Sequence, residues 1–190
     1  MKKIIAISLA AIFVCVAAAA GVLVLKNRKD RGGVKKTTYI FYEYDGISCA
    51  DDDPDYLLCN RFMQYENDGV SVLITDDNYE EYGDGAVFFS KYFDILRRGD
   101  NEEYKNCFAD GVYNNADEIR EFTPQRIYDI IIEDVSDEEK LRYVVRYKIL
   151  KNDGSFRTDI IDDIYHPLVF ELSPGSDGSL KISDIYEYYK

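Results

Sequence analysis

The sequence predicts an α+β domain behind a hydrophobic N-terminal segment, with a long helix packed on a curved antiparallel sheet. Residues 4–25 form an unbroken apolar run of 22 residues. Residues 86–98 place apolar side chains at helical spacing, whereas residues 126–188 contain several stretches with the alternation of β-strands. A helical segment followed by sequential strands is typical of an α+β domain with one sheet.

The apolar run is long enough to cross a membrane, because about 20 apolar residues span a bilayer as a helix. Lys2 and Lys3 precede the run, and residues 17–20 (four alanines) offer a cleavage site of the kind found in secretory signals. Residues 22–25 (Val-Leu-Val-Leu) continue the apolar run beyond that site. The sequence therefore favours a retained transmembrane anchor, residues 1–25, over a cleaved signal.

The orientation of this anchor is set by two opposing groups of basic residues. Six Lys and Arg side chains lie in residues 26–36, part of a basic linker over residues 26–37, and would hold the following domain in the cytoplasm. The N-terminus carries about three positive charges on three residues and is itself hard to translocate. We expect a single-pass protein of the cell membrane whose C-terminal domain is extracytoplasmic.

The domain behind the linker is strongly acidic. Residues 37–190 contain 15 Lys and Arg and 35 Asp and Glu, which gives a net charge of −20. Nucleic acid is excluded as a partner, because binding to phosphates needs a basic surface. The same charge disfavours contact with anionic lipid outside the basic linker.

Residues 38–83 are predicted to form a β-rich extension with acidic loops. Residues 38–44 have the composition of a strand, and an acidic loop occupies residues 51–55. Residues 61–66 and 70–75 flank an Asn-Asp-Gly turn, which predicts a hairpin.

Residues 84–190 are predicted to form the main domain, which begins with two helices. Apolar residues cover about half of the helical wheel of residues 86–98, so this helix should pack against a large surface such as a sheet. Gly99 ends it, and Asp100 is expected to cap a second helix over residues 101–109, with Glu103 completing a capping box.

Strands fill the rest of the chain. Residues 126–135 are rich in β-formers, and residues 141–150 alternate, with Leu141, Tyr143, Val145, Tyr147 and Ile149 on one face. The turn Asn152-Asp153-Gly154 predicts a hairpin that returns through residues 156–164. Residues 167–172 and 180–188 form a further predicted pair.

Several of these segments together resemble a known superfamily. The break Leu96-Arg97-Arg98-Gly99-Asp100, a short helix with Tyr104 and Phe108, and the segments EFTPQRIYDI (residues 121–130) and KNDGSFRTDI (residues 151–160) carry the resemblance. Residues 84–190 look like the nuclear-transport-factor-like (cystatin-like) superfamily, and resemble its small membrane-anchored or secreted bacterial domains of unknown function.

The resemblance implies a cone-shaped cavity between the helix and the concave sheet. Some relatives are isomerases or dehydratases, others bind ligands and many mediate assembly, so the fold alone does not select an activity. Tyr92 and Tyr147, on the apolar helix and the apolar strand face, are candidate pocket residues, together with His166. His166, the sole histidine, is the one candidate general base, with Asp159, Asp162 and Asp163 as nearby carboxylates.

The cysteines and acidic loops indicate no metal or cofactor. Cys49 and Cys59 could form a disulfide if the domain lies outside the cell, and Cys107 on a helix face is expected to be a buried apolar residue. No Cys-x-x-Cys pair is present, and the loop that begins at Asp51 has Tyr56 where a calcium-binding EF-hand needs glycine.

Three functions remain open. The first is a membrane-anchored, non-catalytic domain that binds a ligand or a protein partner, in one copy or as a homo-oligomer. The second is a scaffold subunit of a membrane complex of the secretion or conjugation type. The third is a pocket enzyme of the isomerase or dehydratase type, and no residue is assigned a catalytic role.

Overall fold

The computed structural model describes residues 41–46, 52–67, 69–113, 119–161 and 163–188. These residues belong to the second of two compact units into which the chain divides, residues 1–38 and 39–190. The predicted anchor and most of the basic linker lie outside the described residues. Among the helices of the described ranges, none combines the length and the apolar character that a membrane span requires.

One layer of helix packs on one six-stranded sheet, which confirms the α+β class. The elements are β1 (Met63–Asn67), β2 (Val70–Ile74), α1 (Gly83–Arg98), α2 (Asn101–Lys105), β3 (Ile127–Asp134), β4 (Leu141–Ile149), β5 (Leu168–Pro174) and β6 (Leu180–Glu187). Short 3₁₀ turns at Tyr56–Leu58 and Tyr79–Tyr82 precede β1 and α1.

The sheet is mixed, whereas the sequence predicted an antiparallel one. Its strand order is β2-β1-β3-β4-β5-β6, and the β1–β3 pair is parallel while the other neighbouring pairs are antiparallel. The chain reaches β3 from β1 through β2 and both helices, and a crossover of this kind returns a strand in the same direction. The β1–β2 hairpin in the predicted extension therefore belongs to the same sheet as the main domain.

Helix α1 forms where the apolar pattern predicts it and covers one face of this sheet. Phe89, Phe93 and Leu96 are buried along its inner side. The ring of Phe89 meets Tyr143 of β4 edge-on at a centroid distance of 5.2 Å, and Phe93 meets Tyr147 at 5.5 Å. Ten of the 25 buried residues of this core are aromatic, and such edge-on contacts stabilise their packing.

The junction between the two helices follows the predicted break. Gly99 adopts a left-handed conformation, and the N–H groups of Gly99 and Asp100 bond to the carbonyls of Leu96 and Ile95. The Asp100 side chain caps α2 by accepting from the Glu103 N–H at 3.0 Å. The predicted return bond from Glu103 is absent here, because the Asp100 N–H is already bonded and Glu103 pairs with Arg98 at 2.8 Å. Helix α2 ends at Lys105, earlier than predicted.

The predicted hairpin after β4 is wrong. In the described part of residues 150–167 the chain forms a loop and no strand. The cause is the buried side chain of Asn152, whose Nδ2 donates to the carbonyls of Arg157 and Ile160, each at 3.0 Å. These bonds fold the loop back on itself, and the chain next enters the sheet at Leu168 in β5. The strand predicted over residues 38–44 is likewise absent from its described part, residues 41–44.

Candidate functional site

A cavity of about 330 Å³ opens where both helices and the ends of β4, β5 and β6 meet the loop after β4. Buried side chains form its floor: Tyr92, Tyr104, Tyr147, Leu168 and Phe170. More exposed side chains form its rim: Tyr113, Ile119, Arg120, Phe156, Asp159 and Ile185. We call this space the tyrosine-lined cavity.

Arg157 connects the floor of the tyrosine-lined cavity to its rim. Its Nη1 donates to the buried hydroxyl of Tyr147 at 3.1 Å. Its Nε donates to Asp159 Oδ1 at 2.6 Å, and its Nη2 donates to Asp159 Oδ2. The guanidinium is only 13% exposed and the Asp159 side chain 46%, so the pair reaches from the interior to solvent.

Two further tyrosines lie next to each other on the floor. The ring centroids of Tyr92 in α1 and Tyr104 in α2 lie 5.9 Å apart. Helical spacing places Tyr92 on the inner face of α1, and the Asp100 cap orients the short helix that carries Tyr104. Both rings thus face the same space as Tyr147.

The protonation states of these groups follow from their burial. Burial raises the pKa of Tyr92, Tyr104 and Tyr147, although the Arg157 guanidinium partly offsets this at Tyr147. The three hydroxyls are therefore neutral near pH 7. Burial also disfavours the ionised form of Asp159, but hydrogen bonds and charge from Arg157 outweigh it and hold the pKa of that carboxyl below its usual value.

His166 lies next to the tyrosine-lined cavity but does not line it. Its Nε2 is 3.7 Å from Asp159 Oδ2 and 3.9 Å from Glu187 Oε1, and its side chain is one-third exposed. The structure thus brings two of the three predicted pocket residues, Tyr92 and Tyr147, into one cavity. It places the third, His166, outside the lining and next to Asp159.

The sequence analysis did not identify Arg157 as a pocket residue. It named Tyr104 only as one of the residues that carry the family resemblance. A signal for Arg157 was available, because Arg157 and Asp159 are two residues apart and such residues share a face in an extended chain. The two residues have opposite charges and follow the turn signal of residues 152–154. The depth of the guanidinium could not be read from this spacing.

Tyr92 also lines a second concavity of about 400 Å³, between the two helices and the turn before β6. Cys107 lies there, buried as predicted. Burial raises the pKa of the Cys107 thiol to about 11, with Lys181 acting weakly against this shift. The thiol is therefore protonated and behaves as an apolar side chain.

Only one cysteine of the predicted disulfide, Cys59, belongs to the described residues, because Cys49 lies outside them. Cys59 is a half-buried thiol whose Sγ is 3.6 Å from the Asp55 carbonyl oxygen. The pairing of Cys49 with Cys59 stays a prediction. In the part of the chain that the structure describes, no group of three or more His, Cys, Asp or Glu side chains could hold a metal ion.

Comparisons of this chain with protein-family models, with curated proteins and with solved structures found no match.

Proposed function

We propose that this protein is a membrane-anchored binding protein whose outward-facing domain, of the nuclear-transport-factor-like fold, holds a small ligand in the tyrosine-lined cavity. The observation that carries the proposal is the cavity itself, of about 330 Å³, with a buried aromatic floor and a few convergent polar groups. Sites for small molecules have this size and this composition. The apolar run of residues 4–25 supports the anchor.

The chemistry of the lining favours binding over catalysis. A general base works best when its pKa is near the working pH. Asp159 is paired with Arg157, and this pairing lowers the pKa of its carboxyl, which makes it a weak base. The tyrosine hydroxyls are held in the neutral form by burial, and His166 stands outside the lining. These groups can orient a ligand, but none is poised to take a proton from it.

The proposal is tested with N-phenyl-1-naphthylamine, a neutral aromatic probe that fluoresces in apolar sites. Residues 39–190 are used, because they form a compact unit with its own core, and a cooperative thermal transition checks that the fragment folds. We expect saturable binding of one probe per chain. Ile185→Trp, which fills the cavity from β6, should abolish this binding.

Tyr186→Trp is the matched control for this experiment. It adds an indole on the same strand, but Tyr186 pairs with Val169 on the opposite face of the sheet, whereas Ile185 pairs with Phe170 on the cavity floor. This variant should keep full binding. Probe binding that survives Ile185→Trp in a folded fragment would overturn the proposed function, and so would a folded wild type that binds neither this probe nor an anionic analogue with the same rings.

A further inference from the structure

We infer that the ligand of the tyrosine-lined cavity carries an anionic oxygen group, such as a carboxylate, on a planar apolar body. This inference rests on the proposed function and names the class of ligand. It follows from a count of the hydrogen-bond donors and acceptors that face the cavity.

The first donor is the Tyr147 hydroxyl. The residue is 1% exposed, and its oxygen accepts from Arg157 at 3.1 Å. Its own proton has no acceptor among the described residues. A buried hydroxyl without an acceptor is costly, so a ligand oxygen at this point would satisfy a group that the protein leaves unsatisfied.

The floor holds a second donor. Tyr92 and Tyr104 line the same cavity as Tyr147. Each hydroxyl carries one proton, and a hydrogen bond between the two hydroxyls would use one of these protons and leave the other for a ligand.

Arg157 adds further donors and a positive charge. A guanidinium has five N–H groups, of which three bond to Tyr147 and Asp159. The remaining two have no partner within the described ranges. Arg120 stands exposed on the rim of the same cavity.

The balance of charge points the same way. The charged side chains of the lining are Arg120, Arg157 and Asp159, a net charge of +1 in a domain that carries −20. The Asp159 carboxylate is paired with Arg157, so the positive charge of Arg120 is the charge that this lining leaves unbalanced. An anion rich in oxygen complements these groups, and the rings of the floor complement a flat apolar body.

The test compares two probes that share one ring system. 8-Anilinonaphthalene-1-sulfonate carries a sulfonate, an anionic oxygen group, whereas N-phenyl-1-naphthylamine lacks it. For residues 39–190 we expect the anionic probe to bind at least about tenfold more tightly, as a charge-assisted hydrogen bond predicts. Tyr147→Phe should remove most of this preference and leave the neutral probe unchanged. Arg120→Gln should weaken only the anionic probe, by a few-fold.

Two variants serve as controls. Tyr186→Phe removes a hydroxyl on the opposite face of the sheet, and Lys140→Gln removes an exposed charge outside the lining. Neither should change the ratio of the two affinities. Because Tyr147→Phe keeps the ring and Arg120 is exposed, both test variants should fold.

The outcomes separate the two proposals. Equal binding of both probes that is insensitive to Tyr147→Phe and Arg120→Gln would overturn the anionic class and leave the cavity a binding site. Failure of both probes to bind the folded wild type would overturn the proposed function and this inference together. A preference for the anionic probe that persists in both variants would place the anion elsewhere and overturn the inference.

Discussion

Gly85 of helix α1 lies directly against the ring of Tyr143 in β4. A β-carbon at position 85 would stand 2.4 Å from the Tyr143 hydroxyl oxygen and 2.7 Å from its Cζ. Both residues are buried. The absence of a side chain at position 85 therefore sets how closely the helix approaches the sheet.

Gly85→Ala should accordingly destabilise the domain. Alanine is favoured over glycine inside a helix by about 1 kcal/mol, but overpacking a core costs about 1–3 kcal/mol. Because the buried Tyr143 ring cannot swing away, we expect a net loss of about 1–2 kcal/mol in the free energy of unfolding. Urea denaturation of residues 39–190 measures it. Lys91→Ala, on the exposed side of α1, is the control and should change stability little.

A second prediction concerns the buried ion pair between Asp53 and Arg126. Arg126 Nε lies 2.7 Å from Asp53 Oδ2, and the side chains are 7% and 1% exposed. Asp53→Asn removes a buried charge and leaves the guanidinium with Asp45 as its remaining ionic partner. Breaking one partner of a buried pair costs about 3–5 kcal/mol, and we expect the lower end because Asp45 remains.

Asp55→Asn is the matched control for this change. Asp53 and Asp55 both pair with Lys151, at 3.1 and 2.8 Å. The Asp55 side chain, however, is 69% exposed. Exposed pairs contribute about 1 kcal/mol or less. Equal losses in the two variants would show that burial of the Asp53–Arg126 pair does not determine its importance.

The same carboxylate makes stability depend on pH. Burial raises the pKa of Asp53, but hydrogen bonds from Lys151 and from the N–H groups of Asp55 and Tyr56 outweigh it, and the pKa lies below its usual value. A lowered folded-state pKa stabilises the fold above the unfolded value of about 3.9. This stabilisation is lost as the pH falls from there through the folded-state pKa. Urea titrations at pH 7 and pH 3 should show a smaller loss for Asp53→Asn than for the wild type.

Asn152 should be essential for the loop that carries Arg157. Its Nδ2 donates to two carbonyls, and its Oδ1 accepts from the Gly154 N–H at 2.9 Å. Asn152→Ala leaves these groups unsatisfied, at about 1–3 kcal/mol for each buried one. We expect a loss of about 2 kcal/mol or more and weaker binding of the anionic probe, because Arg157 is no longer held. Asn60→Ala, at an exposed position, should do neither.

The helix α1 and the strand β4 were predictable because strong periodic patterns reflect burial on one side. The parallel pairing of β1 with β3 was not, because the choice of a distant partner strand leaves no local signal. Asn152-Asp153-Gly154 misled for a different reason. The triplet favours a hairpin turn by its backbone preferences, whereas here the asparagine side chain is buried and bonds to the loop beyond it.

Some residues of the candidate site were likewise predictable from the sequence, and others were not. Tyr92 and Tyr147 are found from periodicity, because each lies on the apolar face of its element. Arg157 is hidden from such reasoning, since charged residues are mostly exposed and its burial depends on the hydroxyl and carboxylate that surround it. The polar contacts that a loop makes with distant residues are therefore visible only in the three-dimensional structure.

The last prediction concerns the side of the membrane on which the domain lies. We expect residues 37–190 to face outward, because the short basic N-terminus is hard to translocate and the domain is acidic. With a C-terminal tag on the full chain in intact protoplasts, added protease should then destroy the tag. Alkylation with and without prior reduction should show Cys49 and Cys59 oxidised, as expected outside the cell, while the buried thiol of Cys107 reacts only after unfolding. A tag that survives until the membrane is lysed would place the domain in the cytoplasm. The disulfide would then be excluded, and ligands of the tyrosine-lined cavity should be sought inside the cell.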